Sequence, residues 1–142
     1  DETLITTLAE RRAQRKHPVV MVVEDDALSQ KLISIALKDK YALAVTPDGQ
    51  GAILNYVRHA PDILFLDIGL PDMRLFAIDP EAHVVMFSGN GSKENILKSR
   101  ELGAKGFIGK PFTQDKLFWT IERSPFILAK LSKEAHHGHL VS

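Results

Sequence analysis

Val19-Val20-Met21-Val22-Val23-Glu24-Asp25-Asp26 sets five apolar residues directly before three carboxylates. A run that short, unbroken and rich in β-branched side chains reads as a strand buried on both faces, since a half-buried strand would alternate. The same design recurs down the chain. Tyr41 to Val45 is a second strand candidate, Ile63-Leu64-Phe65-Leu66 a third, Val84-Val85-Met86-Phe87 a fourth and Gly106-Phe107-Ile108 a short fifth. Helical patterns separate them. Asp26 or Ser29 can start a helix with Leu28, Leu32, Ile35 and Ala36 on one face. Pro47-Asp48-Gly49 is a turn, and Ala52 to Arg58 reads as a helix ended near Pro61. Ser92 caps a helix to about Leu102 with Gly103 as its stop, and Thr113 caps another to about Arg123. Strands alternating with helices give an α/β fold, a doubly wound parallel sheet with helices on both faces.

The bulk properties agree with a globular domain. The chain has 142 residues, enough for one domain with a modest tail at each end. Lys+Arg and Asp+Glu are equal at 18 each, so nothing in the overall charge favours nucleic acid or a membrane surface. Cysteine is absent, which excludes disulfides and thiolate metal sites. No signal peptide and no apolar run of membrane-spanning length is present. The expected divisions are residues 1–17, 18–124 and 125–142. The first is a helical lead or linker, with Leu4, Ile5 and Leu8 at helical spacing before a basic run of Arg11, Arg12, Arg15 and Lys16. A solvated tail is its plainer alternative. The last begins with Pro125, suited to a first helical turn, and continues through Phe126-Ile127-Leu128. It reads as an added helix for dimerisation, for leading into an output domain, or for packing on its own domain. His136, His137 and His139 follow, and Gly138 is expected to interrupt any helix there.

In an open α/β sheet, ligands bind beyond the carboxyl ends of the strands. Glu24, Asp25 and Asp26 follow the first strand, Asp67 the third, Ser88 the fourth and Lys110 the fifth. Clustered carboxylates repel, so a cation must sit among them or one must take up a proton. Oxygen-only donors suit a hard ion such as Mg²⁺. One carboxylate can then act as a nucleophile toward phosphorus, with the lysine offsetting charge on the transferring group. Taken singly these residues are unremarkable: Asp67 could cap a loop, Ser88 could serve a turn, Phe107 could be core, and Asp26 reads as a helix cap rather than a ligand.

Four segments in order, Val22-Val23-Glu24-Asp25-Asp26, Phe65-Leu66-Asp67-Ile68-Gly69-Leu70-Pro71-Asp72-Met73, Phe87-Ser88-Gly89 and Lys110-Pro111-Phe112, resemble the signatures of the bacterial response-regulator receiver (CheY-like) family. The resemblance covers roughly residues 18–124. It implies a flavodoxin-like strand order 2-1-3-4-5 and makes Asp67 the phosphoacceptor. Glu24, Asp25, Asp67 and the backbone carbonyl of Gly69 would hold Mg²⁺. Ser88 and Lys110 would bind the phosphoryl group, Ser88 and Phe107 would report the switch, and Gly69 and Asn90 would tune dephosphorylation. It implies a cis Lys110–Pro111 bond as well. The implied partners are a histidine kinase or histidine phosphotransferase and a downstream protein or output domain, in the cytoplasm, with no nucleic acid bound and no membrane inserted. The module would be a switch rather than an enzyme, beyond its own phosphorylation and dephosphorylation.

One segment departs from the pattern. Between Asp67 and Ser88 the family carries a full helix, whereas here Met73 runs straight into Arg74-Leu75-Phe76-Ala77-Ile78-Asp79-Pro80. The third helix is expected to be missing or cut to a turn or two. The sheet face beneath it would then be uncovered, leaving an apolar patch for a partner. A receiver-like scaffold that is never phosphorylated is one rival. A haloacid-dehalogenase-type phosphatase is another, disfavoured because Gly69 stands where its second Asp would be. A flavodoxin-like cofactor binder lacks a phosphate-cradling loop after the first strand.

Overall fold

A computed structural model describes residues 2–67, 74–89 and 93–141, with side chains described from 8 to 133 within those ranges apart from Arg74, Ser88, Asn95 and Ser99. Gly69, Asn90 and Ser92 lie outside the described residues. The elements run α1 (Glu2–Gln14), β1 (Val19–Val23), α2 (Ala27–Leu37), β2 (Ala42–Thr46), α3 (Ala52–His59), β3 (Ile63–Asp67), α4 (Arg74–Ile78), β4 (Val84–Ser88), α5 (Lys93–Glu101), β5 (Gly106–Gly109), α6 (Gln114–Ile121) and α7 (Pro125–Val141). All strand pairs are parallel, in the order β2-β1-β3-β4-β5. The order expected from the four segments is the order found.

Successive strand residues serve opposite faces. Val20, Val22, Ile63, Phe65, Val85 and Phe87 pack with Ile33 and Leu37 of α2, Leu117 and Ile121 of α6, and Ile127 of α7. Met21, Val23, Leu64, Leu66, Val84 and Met86 pack with Ala52 and Tyr56 of α3, Leu75 of α4 and Leu8 of α1. This double burial is why the strands are continuous apolar runs.

The helix ends follow local chemistry. Asp26 caps α2, its Oδ2 accepting from Ser29 N at 2.9 Å, and Thr113 caps α6, accepting from Lys116 N at 3.1 Å. The chain leaves α5 through Gly103 at φ 109°, where a Cβ would come within 2.9 Å of the Phe76 ring. Only glycine fits both demands.

Three expectations need correction. Leu28, Leu32 and Ile35 do share a face of α2, but it is the solvent face, each at least half exposed, while Ile33 and Leu37 enter the core. The third helix is cut to the five residues of α4, as expected, yet no apolar patch results among the described residues. Leu64, Leu66, Val84 and Met86 are all buried, because Leu8, Leu75 and the half-buried Phe76 and Ile78 close over them. The segment read as a lead or tail thus supplies part of the missing cover. Finally, α7 passes through Gly138 to Val141. A mid-helix glycine costs only about 1 kcal/mol, too little to force a break.

Candidate functional site

Register brings the acidic residues together. β1 and β3 are neighbours, with Val23 opposite Leu66, so the residues that follow, Glu24, Asp25 and Asp67, emerge side by side. Their carboxylates each offer an oxygen lying within 4.8 Å of the others. Glu24 is fully buried, Asp67 half-buried and Asp25 exposed, so the cluster opens to solvent on one side. From β5, on the far side of β4, the Lys110 ammonium reaches back to both. It donates to Glu24 Oε2 at 2.7 Å and to Asp67 Oδ2 at 3.1 Å, and lies 5.0 Å from the centre of the Phe87 ring. The Lys110–Pro111 bond is cis, as expected.

The electrostatics are those of a charge-deficient site. Burial pushes the Glu24 pKa up; the bonds from Lys110 and from the Asp26 amide work against the rise, and nearby Asp67 adds to it. Burial alone would lower the Lys110 pKa, but its bonds to Glu24 and Asp67 outweigh that and raise it. Asp26 is used differently. Its Oδ2 accepts from the Ser29 hydroxyl at 2.7 Å as well as the Ser29 amide, which holds its pKa low, and this is the helix cap the sequence suggests.

The remaining candidates divide. The backbone of Ser88 follows Phe87, the β4 partner of Asp67, at the same sheet edge. Phe107 is half-buried against the second face of the core, opposite Met86. Gly69 and Asn90 lie outside the described residues. Sequence reasoning missed two supports of the site. Gln30 donates its side-chain amide to the Glu24 carbonyl, and the Glu24 amide donates to Thr46 O at 3.0 Å. Gln30 lies one turn into the helix that follows the acidic run, a position from which a long amide can reach back; Thr46 carried no signal, since its contribution is backbone.

All-oxygen donors, one of them buried and already drawing an ammonium, fit a hard divalent cation by chemistry. Among the described residues no other group of carboxylate, histidine or cysteine ligands that could hold a metal is found. No helix among them is long and apolar enough to cross a membrane.

Comparison with known proteins bears on the family and the fold. The response regulator receiver domain family matches residues 20–122. The chemotaxis protein CheY of Listeria monocytogenes is 31% identical over 114 residues, 74% of this chain and 96% of that protein. The nitrogen assimilation regulatory protein NtrX of Azorhizobium caulinodans is 32% identical over 115 residues, again 74% of this chain but only 25% of that longer protein. The crystal structure of the NtrX receiver domain from Brucella abortus superposes with a TM-score of 0.67 at 30% identity, covering 74% of this chain and 96% of that one. CheY4 of Vibrio cholerae, 23% identical with a TM-score of 0.68 over 76% of this chain and 98% of its own, shares the fold. With four carboxyl-edge segments in order, the expected strand order and a family match across most of its length, the chain belongs to the response regulator receiver domains of two-component signalling.

Proposed function

We propose that Asp67 is the phosphoacceptor of this receiver domain and that Glu24, Asp25 and Asp67, with the Gly69 carbonyl, hold Mg²⁺ beside it. The observation that carries this reading is the meeting of three carboxylates within 4.8 Å, with Lys110 Nζ bonded to two of them. The donor is a phosphohistidine of a histidine kinase or phosphotransferase, or a small acyl phosphate. An Asp67 carboxylate oxygen attacks phosphorus, the bond to the donor breaks, and the leaving group departs with the bonding electron pair. The product is an acyl phosphate on Asp67. Bound Mg²⁺ would neutralise charge on the phosphoryl oxygens. Lys110, already at Asp67, shifts its bonds to the incoming phosphoryl group and offsets the added charge. The Ser88 hydroxyl donates to a phosphoryl oxygen, and Ser88 with Phe107 biases the surface around residues 89–112 toward a second state read by a downstream protein. Gly69 and Asn90 set the access of water to the acyl phosphate and so its lifetime. The setting is the cytoplasm, where kinase domains and their phosphodonors reside.

Intact mass after incubation with acetyl phosphate and Mg²⁺ tests the reading. One phosphoryl adduct is expected, removed by hydroxylamine and absent from Asp67→Asn or when Mg²⁺ is chelated. A folded protein that gains no adduct would be a scaffold built on the receiver fold.

A further inference from the structure

Three arginines, Arg11 and Arg12 of α1 and Arg15 just past it, converge on one stretch of backbone. Arg11 donates to the carbonyls of Val57 and Arg58, Arg15 to those of His59 and Ala60, and Arg12 to that of Pro61. Every carbonyl from Val57 to Pro61, across the open end of α3 and the two residues after it, therefore accepts from an arginine in or just past α1. Those of Val57, Arg58 and His59 are helix-end carbonyls with no partner within α3, and they carry the negative end of its dipole.

Arg12 goes further. It is 2% exposed and forms an ion pair with Asp79, itself 2% exposed. Tyr56 donates its hydroxyl to the same Asp79 oxygen at 2.7 Å, and the Arg12 guanidinium stacks 4.3 Å above the Phe126 ring of α7. Asp79 is the residue at which the shortened crossover turns back toward β4. Its other oxygen accepts from Glu81 N at 3.2 Å and its carbonyl from Ala82 N at 3.0 Å. In this crossover, which joins Asp67 to β4, the described anchors buried in the domain are Leu75, Asp79 and Ala82. Leu75 shares its cluster with Leu8 of α1. All three anchors thus engage α1, Leu75 and Ala82 through the apolar cluster that holds Leu8 and Asp79 through an ion pair.

We propose that Arg12 is a positioning residue for the phosphoacceptor: by neutralising Asp79 it holds the end of the short crossover where the chain enters β4, the strand whose Phe87 pairs with Asp67. A helix outside the family match, which begins at residue 20, is then part of the switch, standing in for the cover a longer crossover helix would give. The coupling is reciprocal by linkage: a ligand that orders Asp67 tightens α1, and loosening α1 weakens the ligand. This inference rests on the reading of Asp67 as phosphoacceptor.

Two measurements test it. The first uses unmodified protein and hydrogen exchange with and without Mg²⁺ plus beryllofluoride, a stand-in for the phosphoryl group. Protection is expected to rise at the amides of residues 8–14 and 79–82 as well as beside Asp67. The second compares Arg12→Met with Arg12→Lys at a temperature where both are folded by circular dichroism. The acetyl phosphate labelling rate per folded molecule should fall about tenfold in the methionine variant, the scale of a small misplacement of a reacting group, and be partly restored by lysine. A response beside Asp67 with none at residues 8–14 and 79–82 overturns the inference alone, as does an unchanged labelling rate in folded Arg12→Met. No response anywhere, with no labelling of the unmodified protein, overturns the reading of Asp67 and this inference with it. If Arg12→Met does not fold, the exchange measurement decides.

Discussion

The two edges of the sheet use charge in opposite ways. At the carboxyl edge, Lys110 pairs with Glu24 and Asp67, Asp25 lies beside them, and the cluster opens to solvent. At the amino edge, Asp62 and Asp79 are buried and face three cations. Arg12 serves Asp79, while Arg15 reaches Asp62 Oδ2 at 2.6 Å and Lys130 reaches its Oδ1 at 2.6 Å. The Val19 amide adds a bond to Asp62 Oδ2 at 2.9 Å, and the Ser124 hydroxyl one to the Asp62 carbonyl at 2.7 Å. A solvent-open cluster of carboxylates suits the cation and phosphoryl chemistry proposed for it. The other edge, whose two described buried acids are each paired with a cation, serves as a fastening. The sequence places similar residue types at both; burial and pairing separate the roles.

Substitutions sharpen that contrast, the largest effect first. Asp67→Asn should abolish acetyl phosphate labelling completely in the mass spectrum while leaving the urea midpoint within the range of an ordinary surface change, because Asp67 is the proposed phosphoacceptor and sits at a solvent-open edge. Arg12→Met should do the reverse to stability. It leaves Asp79 buried without its cation and should cost about 3–5 kcal/mol in urea titration. Combining it with Asp79→Leu should recover much of the loss, since a buried pair replaced whole by apolar groups is often neutral. Lys130→Met should cost less, about 1–2 kcal/mol by the same titration, because Asp62 keeps Arg15 and the Val19 amide. If Lys130→Met costs as much as Arg12→Met, the two acids of the amino edge are one cooperative unit rather than two fastenings.

The smallest effect is one of pH. The Glu24 pKa is raised in the folded state, so between the ordinary glutamate value and the raised one the folded protein binds the extra proton. Stability from this group therefore falls as pH rises through that window and is greatest on its acid side, the reverse of a salt-bridged carboxylate. Replacing Glu24 by Gln should remove that component from the stability profile, measured by urea midpoints across the acid range. Mg²⁺ affinity, by titration calorimetry, should weaken as pH falls through the same window in the unmodified protein, since the metal needs the ionised form.

Much of the carboxyl edge was legible because it is written locally. A buried parallel strand has a distinctive composition, and the residue after it must lie at the edge where ligands bind, so Glu24, Asp25, Asp67 and Lys110 could be assembled without coordinates. Asp26 as a cap and Gly103 as a stop were readable for the same reason. The amino edge was not. α1 has few apolar residues, and its attachment runs through arginines to backbone carbonyls more than forty positions away, which leave no mark on the residues that supply them. The exposed stripe of Leu28, Leu32 and Ile35 misled for a related reason. A helix with two apolar faces does not say from its own pattern which one the sheet will take.

The arginine clamp on α3 has a consequence for ionic conditions. Its acceptors are largely neutral carbonyl dipoles, and its buried ion pair lies where dissolved salt screens weakly. Raising ionic strength should therefore leave α1 seated, while at the opposite edge divalent ions compete directly for the carboxylates. With the proposed magnesium site at that edge, the domain would respond to a change of magnesium concentration without coming loose at its own root.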